Sequence, residues 1–513
     1  MRWLPRVQHF ELAATLAVLL ASSAGCSLVL DKQSDQCSTD ADCEHFGGHP
    51  YCNSGYCVAS GLGPENCVLG TPTKQSDYLN ACSTSKCVAF DNCDRLGLCS
   101  GQTLPPLVDP TNTTIPPLTN TPPKPTINCT DGLKVGQGMI YLFGSSDFAP
   151  LLRAAQPSLS ALPNPYRAVF QNATSCAGAD SIFSADTTKH VIHDPTGTAS
   201  NWAFYFDDNS VQQNCLLDPA GNTVDIGISD LYAQTCDPTY VPGSTSQVAE
   251  YTGPVVPFVL SVRQTSPQQS ISAEAAHIVF GDRGMVPATS GMKNAAPWTD
   301  PNSYFIRSGT AGSTVLTALL IDVPKSKFWG IDRLSTDNLR DSLLASTSVE
   351  PSIGILSIDY NDKNRGNLKS LYLQSKDQLC GYQPDSQPTT YDKANVRDGH
   401  YPLWGYVHFF TKIGSGGVPS AAANAMVLLF NVQKLNQALL DDVIAASLTP
   451  QCAMKVSRMA EIGDFSARAG VQCGCYFDFK TTGKTTCQTC STSEDCPGKH
   501  PCNYGYCEIN END

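Results

Sequence analysis

The sequence predicts an α/β body flanked at both ends by small disulfide-stapled modules. Three observations lead there: strand-like apolar runs alternate with helix-like segments over residues 131–450, cysteines crowd both ends, and the chain opens with an export-type leader.

Length and composition set the frame. With 513 residues and 41% apolar content the chain is long enough for two lobes, each with its own core. Lobe 1 is expected over about 131–255 and 370–450, and lobe 2 over about 256–369. Strand-like runs are Met139–Phe143, Tyr166–Phe170, Val224–Ile228, Val255–Val262 and Ile353–Ile358; helix-like segments are Phe148–Gln156, Ser272–Phe280, Ser313–Ile321 and Ala421–Ala446. Charged residues make up 16% of the chain, below the roughly 25% of an average soluble domain, which suits a secreted protein. A net charge of −14 without a basic patch disfavours nucleic acid as a partner.

Residues 1–26 read as a leader. Arg2 and Arg6 precede an apolar run, Leu12–Ala24, that is too short to span a bilayer. The segment Ser23-Ala24-Gly25-Cys26 resembles a lipoprotein lipobox, which implies lipidation of Cys26 and attachment to a membrane. Ser27 stands where inner-membrane lipoproteins commonly carry Asp, which points to the outer membrane or cell surface. Setting Cys26 aside, 23 cysteines become 22, an even number able to form eleven bridges in an oxidising compartment.

Residues 27–100 and 451–513 form the two cysteine-rich modules. Cys37, Cys43, Cys52 and Cys57 recur as Cys490, Cys496, Cys502 and Cys507 with the same two steps and the same Asn-x-Gly-Tyr turn. Disulfides fit this spacing and compartment better than a zinc site. His190 and His193 suit neither one strand face nor one helix face, so no metal and no cofactor are expected. Residues 101–130 are rich in Pro and Thr and read as an extended spacer that holds the body off the membrane.

One constellation carries chemistry. Ser145, Ser146 and Asp147 end one strand and open a helix, which gathers hydroxyls and free N–H groups at a positive helix terminus. Arg307 precedes Gly312 and Ser313, which open a second helix, and Ser229-Asp230 ends another strand. Arginine and two helix starts together form a cradle for a tetrahedral oxyanion. Hydrolase elbows, zinc-protease helices and phosphate loops of the nucleotidase type are absent, so no enzymatic activity is expected.

In order along the chain, Gly144 to Pro150, Ser229-Asp230, Phe280-Gly281, Trp298-Asp300 and Arg307 with Gly312-Ser313 resemble the phosphate-binding proteins of ABC transporters. The resemblance implies a two-lobed periplasmic-binding-protein fold of the hinge type. It implies ligand contacts from Ser145, Ser146, Asp147, Ser175, Cys176, Ser229, Asp230, Arg307, Gly312 and Ser313, with phosphate foremost among small oxyanions. An ABC-type permease or other envelope proteins are then the expected partners. Ala311 and Cys176 depart from the family pattern and favour a second reading, a surface structural or sensory lipoprotein that keeps the fold without phosphate transport.

Overall fold

The computed structural model describes residues 40–43, 51–53, 56–58, 67–107, 123–196, 201–432, 434–470 and 472–508. The leader with Cys26, Cys37, and residues 108–122 of the expected spacer lie outside them.

The body is built on one large mixed sheet. Its strands in chain order are β1 (Gly138–Ser145), β2 (Tyr166–Ala173), β3 (Ala203–Phe206), β4 (Gln212–Cys215), β5 (Ile226–Ser229), β6 (Val248–Arg263), β7 (Tyr304–Ile306), β8 (Ile331–Asp332), β9 (Ile353–Ser357), β10 (Leu368–Ser370) and β11 (Trp404–Lys412). Across the sheet they run β8-β7-β9-β6-β11-β5-β1-β2-β3-β4, with β10 also paired to β6. Strands β1, β2 and β5 are parallel, as are β7, β8 and β9. Such strands are covered on both faces, which is why β5 and β9 are buried at every position.

Two long strands join the halves. The register of β6 against β11 shifts between Thr252 and Val255. Beyond the shift, Phe258–Ser261 turns to β9 and Ser261–Arg263 to β10. On its other side β11 pairs with β5 through His408, Phe409 and Phe410. One apolar core runs through both halves, from Ile140, Leu142 and Phe148 to Val259, Ile278, Leu316 and Leu339.

Four helices matter for the site: α1 (Ala149–Ser160), α2 (Ser175–Phe183), α3 (Gly312–Leu320) and α4 (Thr336–Ala345). Helix α1 buries Leu151, Leu152, Ala155 and Leu159. Phe148 locks its start, meeting Phe170 and Phe409 edge-on at 5.7 and 5.6 Å between ring centres. Gly144 and Gly178 let the backbones close on β5: a β-carbon at either would lie about 2 Å from the carbonyl oxygen of Ile228.

Several expectations need correction. The helix expected over Ala421–Ala446 is two, Ala421–Phe430 and Gln437–Ala445, because Asn436 accepts the N–H of Ala438 and starts a new helix. The strand expected at Val255–Val262 extends back to Val248.

Both cysteine-rich ends pack onto the body. Cys87–Val88 adds a strand to a small sheet with Gly381–Tyr382, Tyr372–Gln374 and Ser270–Ser272, and Cys87 is bonded to Cys380. Tyr78, Phe90 and Leu96 belong to the main core, and Leu104 and Leu107, at the start of the expected spacer, pack against it. At the other end Cys490 pairs with Cys502 and Cys496 with Cys507. That module is docked by Arg397 on Asp478 at 2.5 Å and by a cluster of Leu440, Cys452, Tyr476 and Phe477. The sulfurs of Cys490, Cys496 and Cys507 lie close together, but as disulfides they offer no thiolate to a metal. Among the described residues no helix is long and apolar enough to cross a membrane.

Candidate functional site

The ends of β1 and β5 and the starts of α1, α2, α3 and α4 meet where the two halves adjoin. Ser145, Ser146, Asp147, Ser175, Asp230, Arg307, Gly312 and Ser313, spread over 169 positions of sequence, are thereby brought into one neighbourhood.

At its centre is the Asp230 carboxylate, 1% exposed. Its Oδ2 accepts the hydroxyls of Ser145 at 2.5 Å and Ser175 at 2.9 Å. The N–H of Gly312 donates to Ser175 Oγ at 2.9 Å, tying α3 of the second half to α2 of the first. The Cys176 N–H donates to the Thr310 carbonyl at 3.2 Å, and Cys176 is bonded to Cys236. Ser145 and Ser175 already have the Asp230 carboxylate as acceptor, the Gly312 N–H has Ser175 Oγ and the Cys176 N–H has the Thr310 carbonyl. Ser229 is fully buried and its hydroxyl accepts the N–H of Leu231, so it shapes the turn that carries Asp230.

Arg307 is different. Its Nη1 donates to Ser146 Oγ at 3.0 Å and to Thr336 Oγ1 at 2.8 Å, crossing from β7 to the starts of α1 and α4. Arg307 is 8% exposed, its Nε is buried without a partner, and it makes no ion pair among the described residues. Ser146 Oγ and Thr336 Oγ1 also lie 3.5 Å apart, where one hydroxyl can donate weakly to the other, so at least one of their protons stays available to a further acceptor.

Two carboxyls flank this cation. Burial above all, then the charges of Asp230 and Asp359, pushes Asp147 well above the ordinary carboxylate range, and Arg307 offsets this in part. Burial likewise raises Asp230, against the hydrogen bonds from Ser145 and Ser175 and the charges of His408 and Arg307. One oxygen of each, Asp147 Oδ1 and Asp230 Oδ1, is buried without a partner. Asp359 stands behind them, held by Ser357 at 2.7 Å and Lys363 at 3.0 Å.

Sequence reading missed Thr336 and Asp359. The Ser335-Thr336-Asp337 run marked a helix start, and Ser335 does cap α4 by accepting the Asn338 N–H. Nothing local said that this start would meet Arg307.

No family model and no curated protein matches the chain. Among solved structures it is similar to an ABC-type phosphate transport receptor from Vibrio cholerae, at 11% identity and a TM-score of 0.37 over 61% of this chain and 100% of that one. It is also similar to PstS from Borrelia burgdorferi, at 12% identity and a TM-score of 0.33 over 61% of this chain and 98% of that one. A third, Corynebacterium glutamicum OxyR with a C206 mutation, is similar at 10% identity and a TM-score of 0.32 over 61% of this chain and 67% of that one. What the site binds must therefore be argued from its own residues.

Proposed function

We propose that the protein is a non-enzymatic solute-binding protein that holds a small oxyanion, phosphate foremost, where its two halves meet. The observation that carries this reading is Arg307, a buried guanidinium with no carboxylate paired to it. A buried cation is costly unless an anion neutralises it, so the site calls for one from outside. Ser146 and Thr336 add at least one hydroxyl proton beside it.

The carboxyls then tune which anion is accepted. Burial and the neighbouring acids press Asp147 toward its protonated form, in which it donates a hydrogen bond to an oxyanion instead of repelling it. The unpartnered Asp230 Oδ1 accepts the proton of a hydrogenphosphate and has nothing to accept from sulfate, which disfavours sulfate. In this reading the chain is exported, anchored through Cys26 in the periplasm or at the outer membrane, and serves an ABC-type permease or an envelope assembly. Titration calorimetry with phosphate and sulfate tests it. Phosphate binds at micromolar or tighter, sulfate at least about 100-fold more weakly, and Arg307→Gln weakens phosphate by about 100-fold. Absence of heat across a panel of oxyanions would leave the second reading, a surface protein that keeps the fold without a ligand.

A further inference from the structure

A cavity of about 740 Å3 opens in the second half among Asp300–Ser303, Phe305, Arg333 and α4. It shares no lining residue with the Arg307 site, although α4 touches both: Thr336 at its start receives Arg307, while Asn338, Asp341 and Ser342 face the cavity.

Three charged residues line it, and two are already engaged. Asp300 accepts the backbone and side-chain N–H groups of Asn302 at 3.1 and 3.2 Å and the Ser303 hydroxyl at 2.9 Å. Asp341 receives Arg340 Nε at 2.9 Å. The Arg333 guanidinium has neither ion pair nor side-chain hydrogen bond among the described residues. It lies 4.8 Å over the Phe305 ring, with Nε buried and unpartnered. Arg333 is half-buried, less enclosed than Arg307, and a cation held on an aromatic face in a cavity of ligand size is a ready partner for an anion. The same wall carries the Asn338 amide and the Thr347 and Ser348 hydroxyls, none with a protein partner for its side chain among the described residues.

We infer that this cavity is a second ligand site, for a small hydroxylated carboxylate of the sugar-acid class. Arg333 takes the carboxylate, in two-pronged fashion. Asn338, Thr347 and Ser348 meet the ligand's hydroxyls, and Asp300 and Asp341 remain acceptors for hydroxyl protons. Two carboxylates on one wall disfavour a dianionic phosphate ester and tolerate a single negative charge. The site is independent of what Arg307 holds.

Calorimetry on the full chain with gluconate and galacturonate as probes, and galactose as the neutral control, tests the assignment. At least one acid should bind at sub-millimolar strength, galactose at least about 10-fold more weakly, and Arg333→Gln should weaken the acid by about 10-fold or more. Ala345→Glu, at an exposed lining position, sets a carboxylate near Arg333 without disturbing the core and should weaken the acid as well. The inference is overturned if neither acid binds the unaltered protein, if galactose binds equally well, or if folded Arg333→Gln or Ala345→Glu protein keeps full affinity.

Discussion

Gly312 stands so close to Asp230 that a β-carbon at position 312 would lie 2.7 Å from Oδ2. The two residues belong to opposite halves, and their contact sets how closely those halves approach. Gly312→Ala should push them apart, lowering stability by about 1–3 kcal/mol. Urea denaturation measures this, and an unchanged midpoint would mean that the contact is not tight.

Arg307→Met separates binding from stability. Removing the buried cation relieves its desolvation but also takes its charge away from Asp147 and Asp230, so the ligand-free variant should stay within about 1–3 kcal/mol of the parent. Protection by phosphate against thermal unfolding should vanish in the same variant. A large loss of stability would instead make Arg307 a structural strut.

The pH response of stability should centre on Asp147. Its carboxyl lies above the ordinary value of 3.8 in the folded protein, because burial and two neighbouring acids disfavour the charged form. The folded state therefore binds this proton more tightly than the unfolded chain does. The resulting stabilisation is fully present below the ordinary value and is lost as pH rises through the raised one. Asp147→Asn should flatten that decline and raise the melting temperature at neutral pH. An identical pH profile in parent and variant would show that another group controls it.

A second buried charge cluster should behave in the opposite way when cut. Lys393, 1% exposed, lies 2.8 Å from Asp362 and 2.9 Å from Asp385, and Arg365 bridges the same two carboxylates at 2.6 and 2.5 Å. Two positive and two negative groups balance. Lys393→Met leaves two buried carboxylates with one cation and should cost about 3–5 kcal/mol in chemical denaturation. A cost below about 1 kcal/mol would show that the cluster relaxes or takes up protons.

The parts of the site that sequence could reveal are those written into local chemistry. Strand ends carrying Ser145-Ser146-Asp147, Ser229-Asp230 and Arg307 with Gly312-Ser313 were recognisable because hydroxyls, acids and glycine cluster where a strand becomes a helix. What could not be seen was which donors would already be engaged. Ser145 and Ser175 looked free for a ligand, and only folding shows that Asp230 takes both. Thr336 is a distant partner of the same kind, since its meeting with Arg307 depends on β8 lying beside β7. Strand β11 was obscured differently. Trp404–Phe410 is buried throughout and shows no alternation, so it carries neither helical nor strand periodicity.

The bond between Cys87 and Cys380, with the strand at Cys87–Val88, fastens residues 67–107 to the body, and the carbonyls of Leu79 and Ala81 accept from Gln378 and His400. Tension applied to the chain ahead of Cys67 is therefore passed into the body by a covalent staple and does not rest on packing alone.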